Sequence, residues 1–177
     1  MMLRASQQQL LLPAKPTFIW GSLVGALALG MLGNFVLWGR APWAPDVLAV
    51  TLVFWGVHQP RRVGMTGAFL FGLLMDVHQG SVLGQHALAY SVLSFFAIAI
   101  HRRILWFPVS GQTLQVLPIL AAAHLVALAV RMMLGGPFPG WSLLLAPVIE
   151  ALLWPVVTLL LLLPQRRTPN PDVNRPI

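Results

Sequence analysis

From Phe18 to Leu163 the chain is a succession of apolar runs, and every interruption is short and either basic or rich in Pro and Gly. One run sets the tightest limit on the fold. Residues 63–100 contain no Lys or Arg, yet as one helix they would measure on the order of 57 Å, against a hydrocarbon core of about 30 Å. The run must therefore fold back. The break falls at His78-Gln79-Gly80-Ser81, which gives helices over about 63–77 and 82–100 joined by a tight turn.

Within this run Gly72, Asp76, Gly80 and Gly84 stand four apart. Neighbours at that spacing lie nearly above one another on a helix. Each step overshoots a full turn by roughly 40°, so the series is no single face. Asp76 ends the first helix and Gly84 lies near the start of the second. A carboxylate in apolar surroundings is costly and needs a partner. In the plainer role Asp76 accepts from backbone amides of the 78–82 turn or caps the next helix. In the functional role it forms an ion pair, with Arg131 or Arg40 on the same side or with a partner protein. Gly64, Gly67 and Gly72 suit close helix approach, whereas Gly80 and Gly84 suit turn geometry.

The chain is 58% hydrophobic and 8% charged, where soluble domains carry about 25% charged residues. This composition makes it an all-α integral membrane protein. Six transmembrane helices are expected: 18–38, 46–58, 63–77, 82–100, 113–134 and 142–163. The transmembrane domain is thus 18–163, between an N-terminal segment 1–17 and a disordered tail 164–177. The second helix is short and starts at Asp46, a good N-cap residue type. Residues 104–112 form a loop, and Gly135 to Gly140 is a strong breaker.

Arg4, Lys15, Arg61, Arg62, Arg102, Arg103, Arg166, Arg167 and Arg175 then fall on one side and only Arg40 and Arg131 on the other. By the positive-inside rule both termini are cytoplasmic. The pairs Arg61-Arg62 and Arg102-Arg103 set the orientation and also attract anionic lipid; docking of a cytoplasmic protein is a second role for them. The net charge of +7 is thereby explained by membrane topology, and no nucleic-acid partner is expected.

Three of the four acids, Asp46, Asp76 and Glu150, gather toward the outside, and only Asp172 is cytoplasmic. Glu150 lies roughly 13 Å along its helix, near the bilayer centre. It is the costliest residue if unpaired, and Arg131 or His124 is its expected partner. No other acid is placed at its depth, so a proton relay has little support. Pro147 and Pro155 flank it and free backbone carbonyls for nearby donors.

The chain has no Cys, which excludes disulfides, thiolate-ligated metals and a thiol nucleophile. The histidines at 58, 78, 86, 101 and 124 include no i,i+3 or i,i+4 pair and no metalloprotease motif. Neither paired catalytic carboxylates nor a nucleotide loop is present. No catalytic residue, metal or cofactor is expected.

Gly72-Leu73-Leu74-Met75-Asp76, followed by Gly80, Leu83-Gly84 and Ala87-Leu88, resembles the MreD family of bacterial rod shape-determining membrane proteins. Chain length, the opening span, Pro45-Asp46 and the paired arginines resemble that family too. The resemblance implies a non-enzymatic component of the cell-elongation machinery in the cytoplasmic (inner) membrane. It implies binding to MreC and joint action with the MreB filament, RodA and a class B penicillin-binding protein. It also implies a fold similar to the six-helix substrate-binding components of energy-coupling-factor transporters. The motif positions are Gly72, Asp76, Gly80 and Gly84. The alternative is a small-molecule-binding membrane component with an outward cavity near Asp76, His86 and Glu150.

Overall fold

The computed structural model describes residues 14–37, 39 and 41–165. Readings that concern residues 1–13, Trp38, Arg40 and 166–177 lie outside the described residues. Among the described residues six α-helices follow in order: α1 Pro16–Leu32, α2 Val47–His58, α3 Met65–Gln79, α4 Gln85–Leu105, α5 Val109–Met133 and α6 Leu145–Leu162. No strand occurs among the described residues. Among the described residues four helical stretches are long and apolar enough to cross a membrane: Pro16–Val36, Gln85–Leu105, Val109–Met133 and Trp141–Gln165.

The centre of the bundle is its shortest helix. α2 has 12 residues, about 18 Å of helix. Every residue from Leu48 to Val57 is buried. A helix that is apolar on all sides belongs inside a protein, and α2 packs against α1, α4, α5 and α6. Its shortness is therefore compatible with a membrane bundle, because protein and not lipid surrounds it. Trp55 and Trp154, both fully buried, place their indole N–H groups on Ser22 Oγ at 2.8 Å and Gln112 Oε1 at 3.2 Å. A buried indole needs such a partner, and these two bonds fix α2 against α1 and α6 against α5.

The helix ends follow local chemistry. Pro16 opens α1, where a missing amide costs nothing. Asp46 caps α2, its Oδ1 accepting from the Ala49 amide at 3.1 Å. α1 passes into a π-helical turn over Gly33–Leu37. Several boundaries differ from the sequence reading. α4 continues to Leu105 and α5 begins at Val109, so the expected loop 104–112 shrinks to three residues. Pro108 is the N-cap of α5, a position that tolerates its missing amide. Pro147 falls in the first turn of α6 and only Pro155 interrupts its interior. Gly64 meets nothing within 4 Å, so it serves no close packing. Gly56 does, with the Ala97 Cβ 3.0 Å from where its own would stand.

Candidate functional site

One end of the bundle carries two polar clusters, each built where a helix begins. The first sits at the α3–α4 turn. α3 ends in a left-handed Gly80 with φ 61°. The Ser81 amide donates to the Asp76 carbonyl at 3.1 Å and the Gly80 amide to the Val77 carbonyl at 3.3 Å, the paired bonds of a Schellman ending. Gly84, with φ 100°, then starts α4. Only glycine adopts these two conformations without strain.

Gly72 determines how closely the two helices meet. A Cβ there would lie 2.4 Å from the Ala87 Cα and 2.5 Å from its N. The first turn of α4 thus lies directly on α3, one turn from Asp76. The unpaired amides of that turn reach the carboxylate: Gly84 N–H donates to Oδ2 at 2.8 Å, His86 N–H to Oδ1 at 2.8 Å and Ala87 N–H to Oδ2 at 3.4 Å. Ser81 Oγ donates to Oδ1 at 2.9 Å and His86 Nδ1 at 2.7 Å. Asp76 is fully buried. It acts as an N-cap supplied from the preceding helix, with its charge at the positive end of the α4 dipole. Of the two roles read from the sequence, this is the plainer one; the alternative ion pair with Arg131 is absent, because five donors from the turn and α4 already occupy both oxygens.

The second cluster lies at the start of α2. Tyr90 donates its hydroxyl proton to Asp46 Oδ2. The Asp46 amide donates to Glu150 Oε1 at 2.9 Å, and His124 Nε2 donates to the same oxygen at 2.9 Å. Glu150 is fully buried. His124 is therefore its partner and Arg131 is not. Asp46 also corrects the expectation that no other acid stands at the depth of Glu150. Glu150 Oε2 has no hydrogen-bond partner among the described residues. The His86 and Tyr90 rings, 6.0 Å apart, join the two clusters.

Both clusters face one cavity of about 590 Å³. Asp46, His86, Tyr90, His124, Arg131 and Glu150 line it, together with Asn34 and Phe35 from the π-helical turn. Arg131 forms no ion pair among the described residues. Among those residues no group of His, Asp or Glu is placed to hold a metal ion. Arg61, Arg62, Arg102 and Arg103 are exposed at the opposite end.

Gly72, Asp76, Gly80 and Gly84 thus converge on one turn, and His124, Arg131 and Glu150 on one cavity. The sequence reading missed Tyr90 and the π-helical turn, and it gave Asp46 only its capping role. Tyr90 is the single Tyr of the chain and lies four residues after His86, a helical spacing that was available as a signal.

The family profile described as MreD, rod shape-determining protein MreD, matches residues 14–163. The Haemophilus influenzae protein named Rod shape-determining protein MreD is 34% identical over 133 residues, which cover 68% of this chain and 79% of that protein. No solved structure gave a significant match, so the similarity to energy-coupling-factor components rests on the family resemblance alone.

Proposed function

The chain belongs to the MreD family of rod shape-determining membrane proteins, and from that premise we propose that it is a non-enzymatic scaffold of the cell-elongation machinery in the cytoplasmic membrane. In this reading it binds MreC and helps couple MreB filaments to peptidoglycan synthesis by RodA and a class B penicillin-binding protein. The observation that carries the reading is the hydrogen-bonded polar end around the α3–α4 turn. With both termini cytoplasmic, the basic pairs face inward and that end faces outward, toward a partner with a periplasmic domain. Val82 and Leu83 stand exposed at the tip of the turn. Asp76 holds that tip in place and makes no contact of its own with the partner. The test is co-purification of MreC in mild detergent with the unaltered chain and with turn variants. Retention by the unaltered chain and loss on substitution of Leu83 supports the reading.

A second reading, a small-molecule-binding membrane component, is favoured by the cavity. Its volume of about 590 Å³ falls in the range of small-ligand sites, about 300–1,000 Å³. Saturable binding of a small solute by the purified chain supports this reading.

A further inference from the structure

The end of the bundle away from the cavity carries a charge that no described residue offsets. α2 and α4 pack side by side and run in the same direction. Tyr90 bonds Asp46 where the two helices begin. Further along, the Ala97 Cβ lies 3.0 Å from where a Gly56 Cβ would stand. Arg61 and Arg62 are five and six residues beyond Gly56, and Arg102 and Arg103 are five and six beyond Ala97. The register of one helix pair therefore brings both arginine pairs to the same end. Val63 and Ile104, each next to a pair, are fully buried, so the turn after α2 and the last turn of α4 are both anchored. All four arginines are exposed, and none pairs with an acid among the described residues. Asp46, Asp76 and Glu150 stand at the other end. Apolar surface adjoins this charge. α4 is long and apolar enough to cross a membrane, and its last turn carries Arg102 and Arg103, where a span leaves the hydrocarbon. Trp106, 82% exposed, and the exposed Phe107 follow directly. Tryptophan is favoured at that depth, among lipid headgroups.

We propose that this end is one binding surface for anionic phospholipid, with headgroup phosphates held by both arginine pairs and the adjoining acyl chains against Trp106. A guanidinium takes phosphate through paired N–H donors. Each basic side chain near an anionic lipid surface adds to the attraction, and here four act together from two packed elements. An acidic segment of a soluble protein would meet the charge but leave Trp106 without apolar cover, so lipid is the better fit. Lipid bound here ties the turn after α2 to the end of α4 and so stabilises their packing. The inference is independent of MreC docking and of the cavity.

The test uses the full chain in an uncharged maltoside detergent, titrated with phosphatidylglycerol or phosphatidylcholine. Retained lipid is counted by native mass spectrometry, and the unfolding temperature is followed in parallel. Phosphatidylglycerol is expected to bind about tenfold or more tightly than phosphatidylcholine and to raise the unfolding temperature. Two double variants, Arg61→Gln with Arg62→Gln and Arg102→Gln with Arg103→Gln, are each expected to weaken phosphatidylglycerol about tenfold or more and to leave phosphatidylcholine unchanged. An unfolding temperature in phosphatidylcholine equal to that of the unaltered chain shows that a variant has folded. If a variant fails to insert, the comparison of the two lipids on the unaltered chain still decides. Equal binding of the two lipids overturns the proposal. So does phosphatidylglycerol binding that survives in either folded double variant, since the surface is then not shared by the two pairs. Saturable binding of a soluble polyglutamate peptide without any preference for phosphatidylglycerol also overturns it, and assigns the arginines to an acidic protein segment. Loss of the lipid preference with MreC co-purification intact rejects this surface and leaves the scaffold reading standing.

Discussion

Gly72 lies so close to Ala87 that a Cβ on the glycine would stand 2.4 Å from the Ala87 Cα. That approach lets the Asp76 carboxylate, one helical turn further on, reach the amides of Gly84, His86 and Ala87. Backbone cannot retreat as the end of a flexible side chain can. Gly72→Ala must therefore push α3 and α4 apart. We expect it to cost about 3 kcal/mol or more, the upper range for overpacking a well-packed site. Gly64→Ala, where nothing lies within 4 Å, should cost less than about 1 kcal/mol. Thermal unfolding of the two variants in detergent checks the contrast.

Asp76→Ala leaves several buried donors of the turn without an acceptor. The expected loss is on the order of 3 kcal/mol, concentrated at the start of α4. Hydrogen exchange should rise at the amides of Gly84 and His86 and remain unchanged in α2. A uniform rise across the bundle would place the role of Asp76 elsewhere.

His124 and Glu150 should be energetically coupled. The 2.9 Å bond between them predicts a coupling of roughly 0.5–3 kcal/mol in a double-mutant cycle of His124→Asn and Glu150→Gln. Arg131→Gln and Glu150→Gln should add without coupling in the same unfolding measurement, since no bond joins those side chains.

How much of this was legible in the sequence follows from the range of the interactions. The back-folded run 63–100 and the capping role of Asp46 are local consequences of length and residue type, and both were readable. Gly80 and Gly84 could be assigned to the turn because left-handed backbone favours glycine. The depth relation between Asp46 and Glu150 was not readable. The two residues are 104 positions apart, and only the packing of α6 beside the start of α2 brings them together. Of the two roles read for Asp76, the local cap is the one found, because helix amides that need an acceptor stand within the same hairpin, whereas the long-range ion pair with Arg131 is not made. The start of α5 was placed after a loop read over 104–112, whereas Pro108 at the N-cap initiates the helix at Val109.

The orientation can be measured directly, because the native chain contains no Cys and a single introduced thiol is labelled alone. Ala5→Cys and Thr168→Cys should react with an impermeant maleimide only after the membrane is permeabilised. Phe138→Cys, on the breaker after α5 and half exposed, should react in intact cells once the outer barrier is opened. Labelling of the two tails from opposite sides would contradict an even number of crossings, and labelling of both tails from outside would reverse the orientation.

The central claim is that the turn held by Asp76 is where MreC docks. The direct measurement is the amount of MreC that co-purifies with the unaltered chain, with Leu83→Arg and with the paired Arg61→Ser and Arg62→Ser variant, at matched expression and unfolding temperature. Leu83 is 68% exposed, so its substitution should leave the fold intact. The account predicts that Leu83→Arg loses most of the MreC while the arginine variant, altered at the opposite end, retains it. Equal retention by Leu83→Arg and the unaltered chain would contradict the account.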